Sequence, residues 1–204
     1  MRRIGLLVLA FVLTATVVCF ADNNVLLIED FEGPVSGGPE GTVDFGAGNG
    51  SSVEVAAATD IKQSGNQSLK VVYDAVPDGY MWIAKGFNLD AKNTAWKVKP
   101  EDIKWEEYNA ITFYMYGSDS KANIAFDVKD NNQEIWRFIV EDNFKGWKQI
   151  VARFDQFFVR DDWQPDVAEK NGILDFPLKS FQFEPRPEAK GTIYFDVVEL
   201  IKQE

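Results

Sequence analysis

The stretch Tyr108–Phe154, YNAITFYMYGSDSKANIAFDVKDNNQEIWRFIVEDNFKGWKQIVARF, holds four runs of alternating apolar and polar residues separated by GSDS, KDNNQ and EDNFKG. Alternation of period two marks a strand with one buried face, and polar turn residues between such runs mark connections. The stretch reads as an antiparallel meander. Successive side chains on a strand point to opposite faces. The parity therefore sends Ile111, Phe113 and Met115 inward from the first run, Ile124, Phe126 and Val128 from the second, and Trp136, Phe138 and Val140 from the third. Thr112, Tyr114, Tyr116, Asn123, Asp127 and Arg137 are left on a polar and aromatic outer face.

The same pattern extends in both directions. Asn24–Phe31, NVLLIEDF, reads as an opening strand ending in Glu29, Asp30 and Glu32. The following GPVSGGPEGTVDFGAGNGSS is rich in Gly, Pro and Ser and predicts a long surface loop. Gly46, Gly48 and Gly50 lie within it, but no Lys-Ser/Thr pair follows, so a phosphate cradle is the weaker reading. A strand is predicted over Val53–Ala58, Ser64–Ala75 reads as a turn at Gly65-Asn66 followed by a strand with Leu69, Val71 and Tyr73 on one face, and Gly79–Phe87 reads as a further strand. In the last of these Met81 and Ile83 oppose Tyr80 and Trp82. Pro100 opens a single helical turn at most. Asp155–Lys179 is irregular, with Trp163 in its middle, as functional loops often are. Leu178–Glu184 and Gly191–Ile201 close the chain as strands, with Phe181 and Phe183 inward and Gln182 and Glu184 outward. Strands at this spacing, with almost no amphipathic helix, predict an all-β fold, a β-sandwich of two antiparallel sheets.

Arg2 and Arg3 precede an apolar run from Ile4 to Val18, and small residues lead to Ala21. This is the layout of a secretory signal peptide, so residues 1–21 are expected to be cleaved after Ala21, leaving one domain over 22–204 in a secreted or periplasmic protein. The run is too short for a membrane span of roughly 20 apolar residues, and no later segment reaches that length. Lipidation at Cys19 is disfavoured because Val18 occupies a position where lipoprotein signals need a small residue. Loss of residues 1–21 removes two Arg and no acid, moving the net charge from −11 to −13. Nucleic acid is an unsuitable partner for such a chain. It contains no His, and its one Cys lies in the signal segment. Ser-His-Asp and Cys-His nucleophiles, His-ligated zinc and disulfides are thereby excluded from the mature chain.

In succession, LIEDFEG, SGNQSLKV, WEEYNAITFYMYG, WKQIVARFDQF, DWQPD, NGILDF and IYFDVVEL resemble the carbohydrate-binding modules of family 11 and their galactose-binding-like jelly-roll relatives, among them the complex I intermediate-associated proteins. The resemblance spans nearly all of the mature chain. It implies a jelly roll with one concave sheet on which a β-glucan chain lies, and a structural calcium ion joining the first strand, the first hairpin loop and the last strand. Asp30, Glu32, Asn66 and Asp196 fall where those ligands lie, and hard oxygen donors of this kind suit calcium. Without the resemblance, the same acids read as ordinary edge-strand acids.

A sugar offers hydroxyls at its rim and C–H groups on its face, so a site requires aromatic platforms beside groups that donate and accept hydrogen bonds. Tyr80, Trp82, Tyr114, Tyr116, Asp127, Arg137, Gln182 and Glu184 supply that mixture on the outward parity. At ~25 cal/mol/Å² over about 100 Å² each, three platforms contribute roughly 7 kcal/mol gross. Against an association cost of at least ~4 kcal/mol, and with a few hydrogen bonds added, a dissociation constant on the order of micromolar to millimolar results. The competing reading for Asp127 and Arg137 is a cross-strand ion pair.

A glycosidase needs two carboxylates facing one cleft. Glu101-Asp102, Glu106-Glu107 and Asp161-Asp162 are adjacent in loop-like segments and read as solvated surface, and no E-x-D-x-x-E strand is present. The chain is therefore expected to be non-catalytic. An envelope protein that uses the scaffold to bind a protein partner is the alternative, supported at this stage by the lack of an attached catalytic domain before Glu204.

Overall fold

The computed structural model describes residues 25–203. The signal segment with its cleavage after Ala21, and Cys19, lie outside the described residues. The strands are β1 (Val25–Glu29), β2 (Asp44–Gly48), β3 (Ser52–Ala58), β4 (Ser68–Ala75), β5 (Tyr80–Gly86), β6 (Ala110–Ser118), β7 (Asn123–Lys129), β8 (Ile135–Glu141), β9 (Lys145–Arg153), β10 (Phe158–Val159), β11 (Ser180–Pro185) and β12 (Ala189–Ile201). Helix is confined to single 3₁₀ turns, one of them opened by Pro100.

The strands form two antiparallel sheets packed as a jelly-roll sandwich. One has the order β3-β4-β12-β6-β9, and β1 pairs with the far end of β12; the other has the order β10-β8-β7-β11-β5-β2. The predicted inward residues fill the space between them, because Phe113, Phe126, Phe181, Phe183 and Phe195 are all essentially inaccessible. Contacts between rings of opposite sheets join the layers: Phe113 lies 4.5 Å from Phe126, and Phe183 stacks on Phe195 at 3.7 Å.

The central stretch is not a meander. Only β7 and β8 form a hairpin, whereas β6 pairs with β12 and β9 in the opposite sheet. GSDS and EDNFKG are therefore crossovers between layers. Asp142 explains how the first is held: its carboxylate accepts hydrogen bonds from the backbone N–H groups of Ser118, Asp119 and Ser120 and from both serine hydroxyls. Burial works against that charge, but the donors outweigh it and hold the Asp142 carboxyl below its ordinary range.

The predicted surface loop also contains β2, which pairs with β5 along its whole length. Its sequence, DFGAG, gives little alternation because glycine occupies two of the three outward positions. In β12 the register shifts between Asp196 and Glu199, and Val197 takes φ 46°. A β-branched residue in that region is a local strain held by its surroundings, here at a bulge.

Candidate functional site

Every strand of the second sheet contributes to one row of outward residues. Asp44, Ala84, Gln182, Asp127, Arg137 and Phe158 are register neighbours from β2 to β10. At the middle of the row Arg137 grips Asp127 through two hydrogen bonds of 2.8 Å each, and its Nη2 also donates to Glu184 at 3.0 Å. The loop after β10 adds Arg160, whose Nη1 lies 2.9 Å from Glu184 and 3.2 Å from Asp127. Asp162 then bridges Arg137 at 3.2 Å and Arg186 at 3.1 Å, and Arg186 also pairs with Glu184. Three guanidinium groups and three carboxylates thus neutralise one another. Gln182 donates to Asp127 and Glu184 from beside them.

The members differ in exposure. Asp127, Glu184 and Arg137 are 1%, 2% and 4% exposed, so they form a floor rather than a contact surface. Burial pushes the Glu184 carboxyl upward despite its arginine neighbours. For Asp162, whose side chain is 39% exposed, burial has the same sense, but the hydrogen bond from Arg160 and the charges of all three arginines overcome it and hold the carboxyl at about 2.

Aromatic side chains stand on both sides of this floor. Toward β2, the rings of Tyr80 and Trp82 lie 6.2 Å apart with planes 15° from parallel, and the Trp82 indole N–H donates to Asp44 at 2.9 Å. Toward β10, Trp163 is 56% exposed with the Arg160 guanidinium 5.7 Å from its ring centre, and Phe158 is 49% exposed. Flat rings flanking a row of hydrogen-bonding groups constitute the mixture that a sugar chain requires.

Six of the eight predicted sugar-binding residues, Tyr80, Trp82, Asp127, Arg137, Gln182 and Glu184, share this face. Tyr114 and Tyr116 do not. They point outward from β6 on the other sheet, where Tyr116 packs edge-on against Trp147 and Tyr194. Their parity was right, but the crossover after β6 carries them to the opposite side of the molecule. Sequence reasoning missed Arg160 and Arg186, and it read Asp162 as solvated surface, because a loop carries no periodicity from which its side-chain direction follows. Among the other acid doublets, Glu101 pairs with Lys179 and Glu107 with Lys104, as surface acids do.

The four predicted metal ligands are only partly convergent. Asp30 is paired with Lys97 at 2.8 Å. The Glu32 carboxylate accepts hydrogen bonds from the N–H groups of Asn66 and Gln67 and from the Asn66 side chain, and Asp196 accepts from the N–H groups of Gln63 and Ser64. Asp196 is buried, and that burial, together with the nearby Glu32 charge, raises its carboxyl. Glu32 and Asp196 both turn hard carboxylate oxygens toward the Gln63–Gln67 loop, the donor type that calcium takes, whereas the Asp30 carboxylate is committed to Lys97. Among the described residues no three His, Cys, Asp or Glu side chains gather as a metal cluster.

The profile of the carbohydrate-binding domain of family 11 matches residues 14–203. Endoglucanase H of Acetivibrio thermocellus is 25% identical over 170 residues, a match that covers 79% of this chain and 17% of that protein. The chain thus spans about a sixth of the length of the curated relative it matches. The family 11 carbohydrate-binding module of Clostridium thermocellum, solved in complex with a β-1,3-1,4-mixed-linked tetrasaccharide, superposes with a TM-score of 0.67 at 22% identity over 88% of this chain and 96% of that one. The family 11 module of the cellulosomal cellulase Lic26A-Cel5E from the same organism gives 0.67 at 20% identity over 88% and 95%. At such identities the superpositions establish the fold alone. The profile covers nearly the whole chain, and from it the chain belongs to the family 11 carbohydrate-binding domains, which are non-catalytic.

Proposed function

We propose that this protein is an exported carbohydrate-binding protein that holds an extended β-glucan-like polysaccharide across the outer face of the second sheet. The observation that carries the reading is the pairing of the Tyr80 and Trp82 rings with the buried Asp127–Arg137–Glu184 floor on a single face. The rings would cover the C–H faces of sugar units. Gln182, Asp162 and Arg186, the more accessible polar groups, would meet the hydroxyls. Because the three arginines and three carboxylates of the floor cancel and Asp44 adds one further acid, a neutral glycan suits this face better than a polyanion. The mixed-linkage tetrasaccharide held by the Clostridium thermocellum module supports the same ligand class.

Export rests on Arg2, Arg3 and the apolar run to Val18, with cleavage after Ala21. Calcium, held through Glu32 and Asp196, would clip the first strand's end to the loop before β4 and to β12. Titration calorimetry of the purified protein against cellohexaose and mixed-linkage glucan tests the main reading: a dissociation constant in the micromolar to millimolar range is expected. If none of these glycans binds, the alternative of a protein-binding envelope component takes its place. The half-buried row of Tyr194, Tyr116 and Trp147 on the first sheet is the surface that alternative would use.

A further inference from the structure

The two glycines that face outward on β2 have a use that turn chemistry does not explain. Gly46 is the register partner of Trp82, and Gly48 of Tyr80. A Cβ built on Gly46 would lie 2.5 Å from the Trp82 indole ring, and one on Gly48 would lie 2.3 Å from the Tyr80 ring. These distances are shorter than carbon atoms tolerate. Gly38, Gly50 and Gly65 take positive φ, but Gly46 and Gly48 do not, so backbone freedom is not what selects glycine here. The selecting factor is space. Both rings fold sideways from β5 across β2 and occupy the volume that two side chains would otherwise fill. The hydrogen bond from the Trp82 indole N–H to Asp44, also on β2, fixes the direction of that fold.

We infer that Gly46 and Gly48 are positioning residues for a tandem platform, on which Trp82 and Tyr80 receive two consecutive sugar units of one chain. This deepens, and rests on, the glycan-binding reading given above. The two rings stand at alternate positions of one strand, their planes differ by 15°, and their centres are 6.2 Å apart. A stretch of chain whose neighbouring units keep their faces parallel can meet both rings together, whereas a chain that turns between units can meet only one. A methyl group on either glycine would displace the ring above it and break the parallel arrangement without touching the core, because these positions face away from the Phe113–Phe183 packing.

The test measures cellohexaose binding by calorimetry for Gly46→Ala and Gly48→Ala, with thermal melts of each. Each substitution is expected to weaken binding about tenfold, the loss of one stacked ring, while leaving the melting curve close to that of the wild type. A double-mutant cycle separates positioning from a general effect on the edge strand. In the Trp82→Ala background, Gly46→Ala should have no further effect on binding, because the ring it displaces is gone. The inference is overturned if Gly46→Ala and Gly48→Ala bind like the wild type, or if Gly46→Ala weakens binding by the same factor with and without Trp82. Should Gly46→Ala fail to fold, the decision passes to Gly48→Ala, since the Tyr80 ring is 50% exposed and has room to swing aside. A wild-type protein that binds no glycan would instead remove the underlying reading, and this one with it.

Discussion

Arg137 and Asp127 sit opposite each other on β8 and β7 and join through two parallel hydrogen bonds of 2.8 Å, both side chains being almost wholly buried. A bidentate guanidinium–carboxylate pair in such a place is held by its geometry, and removing one partner strands the other charge away from water. Arg137→Ala is therefore expected to cost about 3 to 5 kcal/mol of stability, read as a lower midpoint in urea unfolding. A variant that unfolds like the wild type and loses only glycan affinity would refute the view of this pair as a floor.

The aromatic residues separate by sheet. Tyr80→Ala and Trp82→Ala should each weaken glycan binding by roughly tenfold, in keeping with loss of about 100 Å² of stacked apolar surface less what water and flexibility return. Tyr116→Ala, on the other sheet beside Trp147 and Tyr194, should leave affinity unchanged. Calorimetry on the three variants decides the matter, and a Tyr116 variant as weak as the Trp82 variant would move the site to the opposite face.

Phe113 touches Phe126, Phe183 and Phe195 and is completely buried. Its truncation to Ala leaves a cavity at the junction of both sheets and should cost about 3 to 5 kcal/mol. Thermal melts should register the loss, while any protein that stays folded keeps its glycan affinity.

Asp162 supplies a pH dependence of predictable sign. Its carboxyl is held at about 2 in the folded protein, below the ordinary 3.8, so the unfolded chain takes up this proton first as pH falls. The stabilisation is complete above about pH 4 and is lost between about pH 4 and pH 2. Asp162→Asn should flatten the fall in melting temperature over that window and lower stability at neutral pH. Parallel curves for variant and wild type would show that the arginines do not act on this carboxylate.

Calcium at Glu32 and Asp196 makes a separate prediction. At 100 times its dissociation constant the ion would add ~2.7 kcal/mol of stability. Melts of metal-stripped protein should shift upward with added calcium and return in EDTA. Identical curves in both conditions would leave the clip to the N–H groups of Gln63, Ser64, Asn66 and Gln67 alone.

Strand parity was legible in the sequence wherever a run alternated. Met81 and Ile83 face inward against Tyr80 and Trp82, and Phe181 and Phe183 against Gln182 and Glu184, because period-two burial is a local property of the chain. The edge strand β2 was not legible. Two of its three outward positions, Gly46 and Gly48, are glycine, and the side chains that cover them come from β5.

The sequence by itself determined which strand residues face the core, that the fold is an all-β sandwich, and that histidine and disulfide chemistry are absent from residues 22–204. The tertiary structure alone decided which sheet each outward face belongs to. Parity is fixed by neighbouring residues, but layer is fixed by whether a connection turns back or crosses over. That choice depends on groups far along the chain, such as the Asp142 carboxylate that gathers the N–H groups of Ser118 and Ser120. So Tyr116 left the site, and Arg160, Asp162 and Arg186 entered it.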